Sequence, residues 1–305
     1  MASIPGSQFN FYAAAPEAIN VVFSPDGSNL PPPTPGVFNL EVLTQSVSVS
    51  GPAPGYQGVA EVTGGPTLNM LFGDYGVVDT TGGDTIIAGS GMDTINALVG
   101  NDTVTFGSTS ATVYGGSGDR VQIGTAGVDT IVDASAGDTI LGGAAQANIT
   151  LAAGESINLA AQTGNATVNA LAGSDSIAFG AHASTVYGGA GDTITGGSGT
   201  GQYIDFGATV AGGHTVTGGT VTGAEFLNDN TAFAGAGGQD TVYNFDQAAG
   251  DRIIGTPTNQ QATVLASAHD VNGSAVVQLA DGTQITFHGI STATLTGFGT
   301  SGLFS

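Results

Sequence analysis

The chain has 305 residues, 40% of them hydrophobic and 52 of them glycine, and it carries 24 acidic residues against 2 basic ones for a formal charge of −22. Neutralising phosphate takes Lys and Arg, so nucleic acid and anionic lipid are poor partners and cations are favoured. Without cysteine there are no disulfides, thiolate metal sites or cysteine nucleophiles, and no apolar run approaches the roughly 18 residues of a membrane span.

Residues 1–80 open without the basic n-region of a secretory signal peptide. They hold three apolar, strand-like stretches, NFYAAA, INVVF and VFNLEVLTQSVSVS, around Pro31-Pro32-Pro33 and Pro35. Two roles are open for this segment: a cap over the first edge of the repeats downstream, or a connector that adds a strand to a neighbouring subunit.

From residue 82 a triplet recurs, Asp-Thr-Ile at 84 and 93 and Asp-Thr-Val at 102. Its aliphatic position continues through Ile86, Ile95, Val104, Val113, Val121, Ile131, Ile140, Ile149, Ile157, Val168, Ile177, Val186 and Ile194, mostly at nine-residue steps. Polar, aliphatic and polar β-formers followed by Gly, Ala or Asn read as a short strand and a turn. NDTVTFGSTSATVYGGSGD at 101–119 returns as SDSIAFGAHASTVYGGAGD at 174–192, 73 residues on, about four coils of 18 residues. Units this short bury nothing alone, and stacking is the physical solution. The expected fold is all-β: a right-handed parallel β-roll or β-helix over 81–225, with the strand-rich segment before it and a β cap over 226–305.

Ala88-Gly89-Ser90-Gly91-Met92-Asp93-Thr94-Ile95-Asn96 matches the nonapeptide G-G-x-G-x-D-x-U-x except at its first glycine, and the nonapeptides at 124–132 and 235–243 each miss one glycine. On these residues the chain resembles the RTX (repeats-in-toxin) calcium-binding proteins. Most other turns depart further: Asp119 and Asp192 sit in turns one residue short, while Asp102 and Asp175 keep a single glycine. QDTVYNFDQAAGDRII at 239–254 and LADGTQITFHGI at 279–290 resemble the closing segment of the same proteins. The resemblance implies calcium as ligand, export by type I secretion with an uncleaved C-terminal signal, and one more calcium at Asp240, Asp246 and Asp251. It implies no activity.

Alternate nonapeptides fall on opposite edges of such a coil. One edge receives Asp84, Asp102, Asp119, Asp138, Glu155, Asp175 and Asp192; the other receives Asp93, Ala111, Asp129, Ala147, Ala166 and Ser184. Acids stacked at the roughly 4.8 Å strand spacing repel one another, so the row needs cations or donors. Calcium, with six to eight oxygen ligands, fits carboxylates from adjacent coils. The plainer alternative is that each Asp caps its own turn with backbone N–H groups. Both stay open, for Asp93 and Asp129 as for the row.

The position before each core aliphatic faces outward and reads Thr94, Thr112, Thr130, Asn148, Thr167 and Thr185 on the second sheet. This face is either plain β-propensity or a surface for ice or a glycan such as a cell-surface polysaccharide. Tyr114 and Tyr187 occupy equivalent places in the duplicated blocks and are candidates for a subunit contact. His182, His214, His269 and His288 show no ligand spacing, and no nucleophile elbow, HExxH motif or phosphate loop occurs. Beyond the roll, AVVQLADGTQITF at 275–287 reads as a hairpin turning at Asp281-Gly282.

These features together lead to the expectation of a secreted, non-catalytic structural protein that oligomerises or polymerises at the bacterial surface as a layer, filament or biofilm matrix stiffened by calcium. The competing expectations are an adhesin or ice- or glycan-binding module using the Thr face, and a secreted RTX-type polysaccharide-active enzyme.

Overall fold

A strand of three or four residues with one inward aliphatic is stable only between copies of itself, and that is how the chain folds. The computed structural model describes residues 19–45, 47, 49–61, 65, 67–70, 76–79, 81–133, 135–189, 191–197, 202–205, 215–217, 225–228, 239–248, 250–254, 256–280 and 282–304, in two units that meet in sequence at Ile149 and Thr150. Each unit is a parallel β-solenoid. The stretch NFYAAA, Ala190 in the second short turn, Asp281 of the hairpin turn, and the first four residues of the nonapeptide at 235–243 lie outside the described residues.

In the first unit one sheet takes the strands Ile19–Ser24, Phe38–Leu43, Gly58–Glu61, Gly76–Asp79, Thr94–Ala97, Thr112–Gly115 and Val128–Asp133 in that spatial order. The other sheet takes Thr67–Met70, Thr85–Ala88, Thr103–Thr105, Arg120–Gln122 and Thr139–Leu141. Consecutive strands within each sheet pair in parallel, and from Gly58–Glu61 on the chain alternates between the two walls. The parallel stack thus begins well upstream of residue 81.

The nine-residue aliphatic positions stand in register as columns: Ile86, Val104, Val121 and Ile140 on one wall, Val77, Ile95, Val113 and Ile131 on the other. Every aliphatic of the periodic series from Ile86 to Ile194 is buried. Full burial of such a side chain is worth about 1.5–3 kcal/mol, which is what fixes the register against slippage. Between strands the backbone turns sharply: Gly100 and Gly118 have φ of 85° and 79°, a region open to glycine at little cost, and a Cβ at Gly100 would collide with the backbone of Ser117.

One core column includes an unexpected residue. Glu41 pairs with Val59, which pairs with Val77, so its carboxylate points where the later coils place an aliphatic. It is buried, accepts the Ala53 N–H at 2.9 Å, and burial pushes it above the usual carboxylate range.

In the second unit Ala166–Ala170, Ser184–Gly188, Gln202–Asp205, Glu225–Asn228 and Arg252–Ile254 form one parallel sheet. The opposite sheet runs Ser156–Asn158, Ser176–Ala178, Thr193–Thr195, Thr215–Thr217, Gln239–Tyr243 and Gln284–Phe287. There the direction changes. Ser274–Gln278 pairs antiparallel with Gln284–Phe287, the expected hairpin, and His269–Val271 pairs antiparallel with it in turn.

Three short helices, Thr258–Ala266, Thr292–Gly297 and Gly299–Leu303, were not anticipated from the sequence. They pack on Ser274–Gln278, on Arg252–Ile254 and on one another, while Phe245 meets Phe287 edge-on at 5.0 Å between ring centroids. No helix among the described residues is long and apolar enough to cross a membrane.

Candidate metal centre

The acids of the first edge form a row, tied together by the backbone. The N–H of Asp84 donates to Asp102 Oδ1 at 2.9 Å, that of Asp102 to Asp119 Oδ1 at 2.9 Å, and that of Asp119 to Asp138 Oδ1 at 2.8 Å. The second unit repeats the arrangement, with the Glu155 N–H on Asp175 Oδ1 at 2.8 Å and the Asp175 N–H on Asp192 Oδ1 at 2.9 Å. All seven side chains are buried. One oxygen of each receiving acid therefore does what the plainer sequence reading anticipated, capping a backbone N–H, but across to the preceding coil as well as within its own turn.

The second oxygen separates the turns into two kinds. In the short turns it accepts a glycine N–H: Gly116 donates to Asp119 Oδ2 at 2.8 Å and Gly189 to Asp192 Oδ2 at 2.7 Å. At Asp102 no donor among the described residues reaches Oδ2. What faces it is Asp79, a residue the sequence reading did not single out.

Asp79 ends the Gly76–Asp79 strand, two residues after the core aliphatic Val77, and side chains two apart in a strand point the same way. This inward position, adjacent to the acid row, is Ala97 and Gly115 in the following strands and Asp again at 133. Small residues make room for the row there; an Asp adds a carboxylate to it. The signal was in the sequence as V-D-x4-D, present as Val78-Asp79 to Asp84 and Val132-Asp133 to Asp138, 54 residues apart.

Asp79, Asp84 and Asp102 each present a carboxylate oxygen, all within 4.8 Å of one another, and the three residues are 0%, 1% and 1% exposed. Asp79 Oδ1 accepts N–H bonds from Thr81 at 2.8 Å and Gly82 at 3.1 Å, and Asp84 Oδ1 accepts from Gly65, which leaves Asp79 Oδ2 without a donor among the described residues. Were all three ionised, each pair at this separation would repel by about 3.5 kcal/mol at an effective dielectric near 20. A proton or a cation has to enter. In the absence of a cation, burial and then the facing Asp79 carboxyl push Asp102 up to about 8. Asp138 is pushed up to about 8 by burial, with Asp133 against it as the opposing acid, and burial also raises Asp119.

Three buried carboxylates with no nitrogen or sulfur donor make a hard, anionic oxygen set that could hold a metal ion. An ion entering such a site would displace the shared proton, which would link metal uptake to fold stability.

The remaining acids are placed differently. On the second edge Asp93 Oδ2 accepts the Gly89 N–H at 3.1 Å, and Asp129 accepts Gly124 N–H on Oδ2 at 2.8 Å and Ala111 N–H on Oδ1 at 3.2 Å. Burial raises Asp129 to about 6. Near the end of the chain, Asp251 Oδ2 accepts the Asp246 N–H at 2.7 Å and Asp246 Oδ1 accepts the Ala248 N–H at 2.9 Å. Asp240 is buried on the Gln239–Tyr243 strand, and among the described residues these three acids do not gather into one group.

On the outer wall Thr94, Thr112 and Thr130 stand in register and half-exposed, and Thr167 pairs with Thr185 in the second unit. Tyr114 follows Asn96 in register, and Tyr187 follows Asn169, with Tyr187 exposed. Comparison of the chain with family models, with curated proteins and with solved structures found no match.

Proposed function

We propose that the protein is a non-catalytic structural subunit, exported to the cell surface and assembling with its own copies into a layer, filament or matrix that calcium stabilises. The observation that carries this reading is the buried Asp79–Asp84–Asp102 group in the wall of a parallel solenoid. A repetitive, rigid scaffold whose interior acids, once their protons are lost, need a cation is a building element that is strongest where that ion is abundant. Calcium is abundant outside cells, and the resemblance of the turns around Asp93 and Asp129 to exported RTX repeats supports the same location. Copies bearing a formal charge of −22 repel one another, and a divalent ion that neutralises interior acids and screens the exterior ones relieves that repulsion.

The test is negative-stain microscopy, light scattering and thermal unfolding of the purified full chain, first with millimolar calcium and then with excess chelator. Ordered sheets or fibres that disperse on chelation support the proposal. Monomers under both conditions would remove the assembly part of it, and identical melting curves would remove calcium.

A further inference from the structure

We infer that the row of acids is not a continuous metal column: a divalent cation is held between Asp79, Asp84 and Asp102, and the acid at the strand end, position 79, decides that this turn holds one. The inference rests on the calcium reading above for the identity of the ion, and deepens it by placing the ion.

Three observations converge. The acid row can be completed without metal where the turn is short, because Asp119 has the Asp102 N–H on one oxygen and the Gly116 N–H on the other. The strand-end position facing that turn is Gly115, which contributes nothing charged. At the Asp79 turn the backbone stops short: Asp102 keeps the Asp84 N–H on Oδ1, but its Oδ2 and the Oδ2 of Asp79 are buried acceptors that no donor among the described residues reaches. Both side chains are more than nine-tenths buried, and both aim into the same space as an oxygen of Asp84.

The turns that best match the nonapeptide pattern point the other way. Asp129 has backbone donors on both oxygens, and Asp93 has the Gly89 N–H on Oδ2. Their carboxylates cap turns. The ion is thus expected at a turn that keeps only part of the consensus, rather than at Asp93 or Asp129, because what matters is an acid without an amide opposite it. Asp133, facing Asp138 at the next strand end of the same kind, is the place where the rule applies again in this unit.

The experiment is calorimetric titration of calcium chloride into the calcium-free full chain, for the wild type and for Asp79→Asn, Asp79→Ala and Thr112→Ala. Thr112 is half-exposed on the outer wall, so that variant is the neutral control. The wild type and the control are expected to bind alike, and both Asp79 variants to lose one equivalent of calcium. Asp79→Asn keeps its acceptor for Thr81 and Gly82 and offers an amide N–H to Asp102, so it melts higher than the calcium-free wild type while its melting temperature responds less to calcium. Unchanged stoichiometry in both Asp79 variants overturns the placement and leaves the calcium reading standing; a wild type that takes up no calcium overturns both. Should the variants fail to fold, carboxyl-carbon NMR of the wild type decides: on adding calcium the Asp79 and Asp102 signals shift and that of Asp119 does not, and the reverse pattern refutes the assignment.

Discussion

Raising the pH should weaken the calcium-free protein. Asp102 and Asp138 stand at about 8 in the fold against an ordinary 3.8. Their folded values lie above the unfolded one, so the native state holds protons that the unfolded chain releases. That stabilisation is complete below about pH 4 and is lost progressively as the pH climbs toward about 8. Each retained proton is worth about 1.4 kcal/mol per pH unit, or at most about 2.7 kcal/mol between pH 5 and pH 7. Each acid shares its proton with a neighbour and part of the shift is screened by solvent, so about 1–2 kcal/mol per pair is the working figure. For two pairs in a chain of this length that is a fall in Tm of about 4–8 °C. Asp129, raised to about 6, adds in the same direction. Asp26, lowered by the Ser28 hydroxyl and N–H, acts only at more acidic pH. The assay is thermal unfolding followed by circular dichroism in chelator across this range, repeated with millimolar calcium. Calcium displaces the protons, so its stabilising effect should grow as the pH rises. A Tm in chelator that stays level or increases from pH 5 to pH 7 would refute the argument, since the carboxyls would then not be facing one another in a buried wall.

The geometry carries four further expected outcomes. Asp129→Asn sets an amide N–H against the Gly124 or Ala111 N–H and should cost about 1–3 kcal/mol in chemical denaturation, with calcium stoichiometry unchanged in the titration. In Gly107→Ala the new methyl group meets the backbone carbonyls of Ala88 and Gly89, which cannot swing away, so a loss of about 3 kcal/mol or more is expected in the same measurement. Ile95→Ala opens a hole between Val77 and Val113 and should cost about 2–5 kcal/mol. Thr112→Lys and Thr130→Lys, on the half-exposed outer wall, should each change stability by no more than about 0.5 kcal/mol, read from the melting curve; a collapse of the fold would show that this face is packed against something.

The walls of the solenoid were legible because an aliphatic every nine residues has only one economical use, and the row from Asp84 to Asp192 came from sorting alternate repeats. Asp79 and Asp133 escaped for a definable reason. The row is defined by the residue two before each core aliphatic, while these stand two after it, at an inward position that is usually Ala or Gly. Glu41 escaped because an acid in an aliphatic column contradicts the pattern used to find the column. The strands upstream of residue 81 were seen as strands but not as coils, since Pro-rich stretches such as 31–35 separate them at spacings unlike nine. The helices near the end have little periodicity to betray them: Thr258–Ala266 buries only Val264.

The backbone links along the acid row have a direction. Asp102, Asp119 and Asp175 each accept the N–H of the acid one coil earlier and give their own N–H to the acid one coil later. A coil therefore brings its own socket and plug, and a block of whole coils can be spliced in or cut out with every partner re-matched at the seam. The 73-residue echo between 101–119 and 174–192 has the form that such splicing would leave behind. Lineages of this architecture are free to change length in steps of whole turns, and fractions of a turn are forbidden to them.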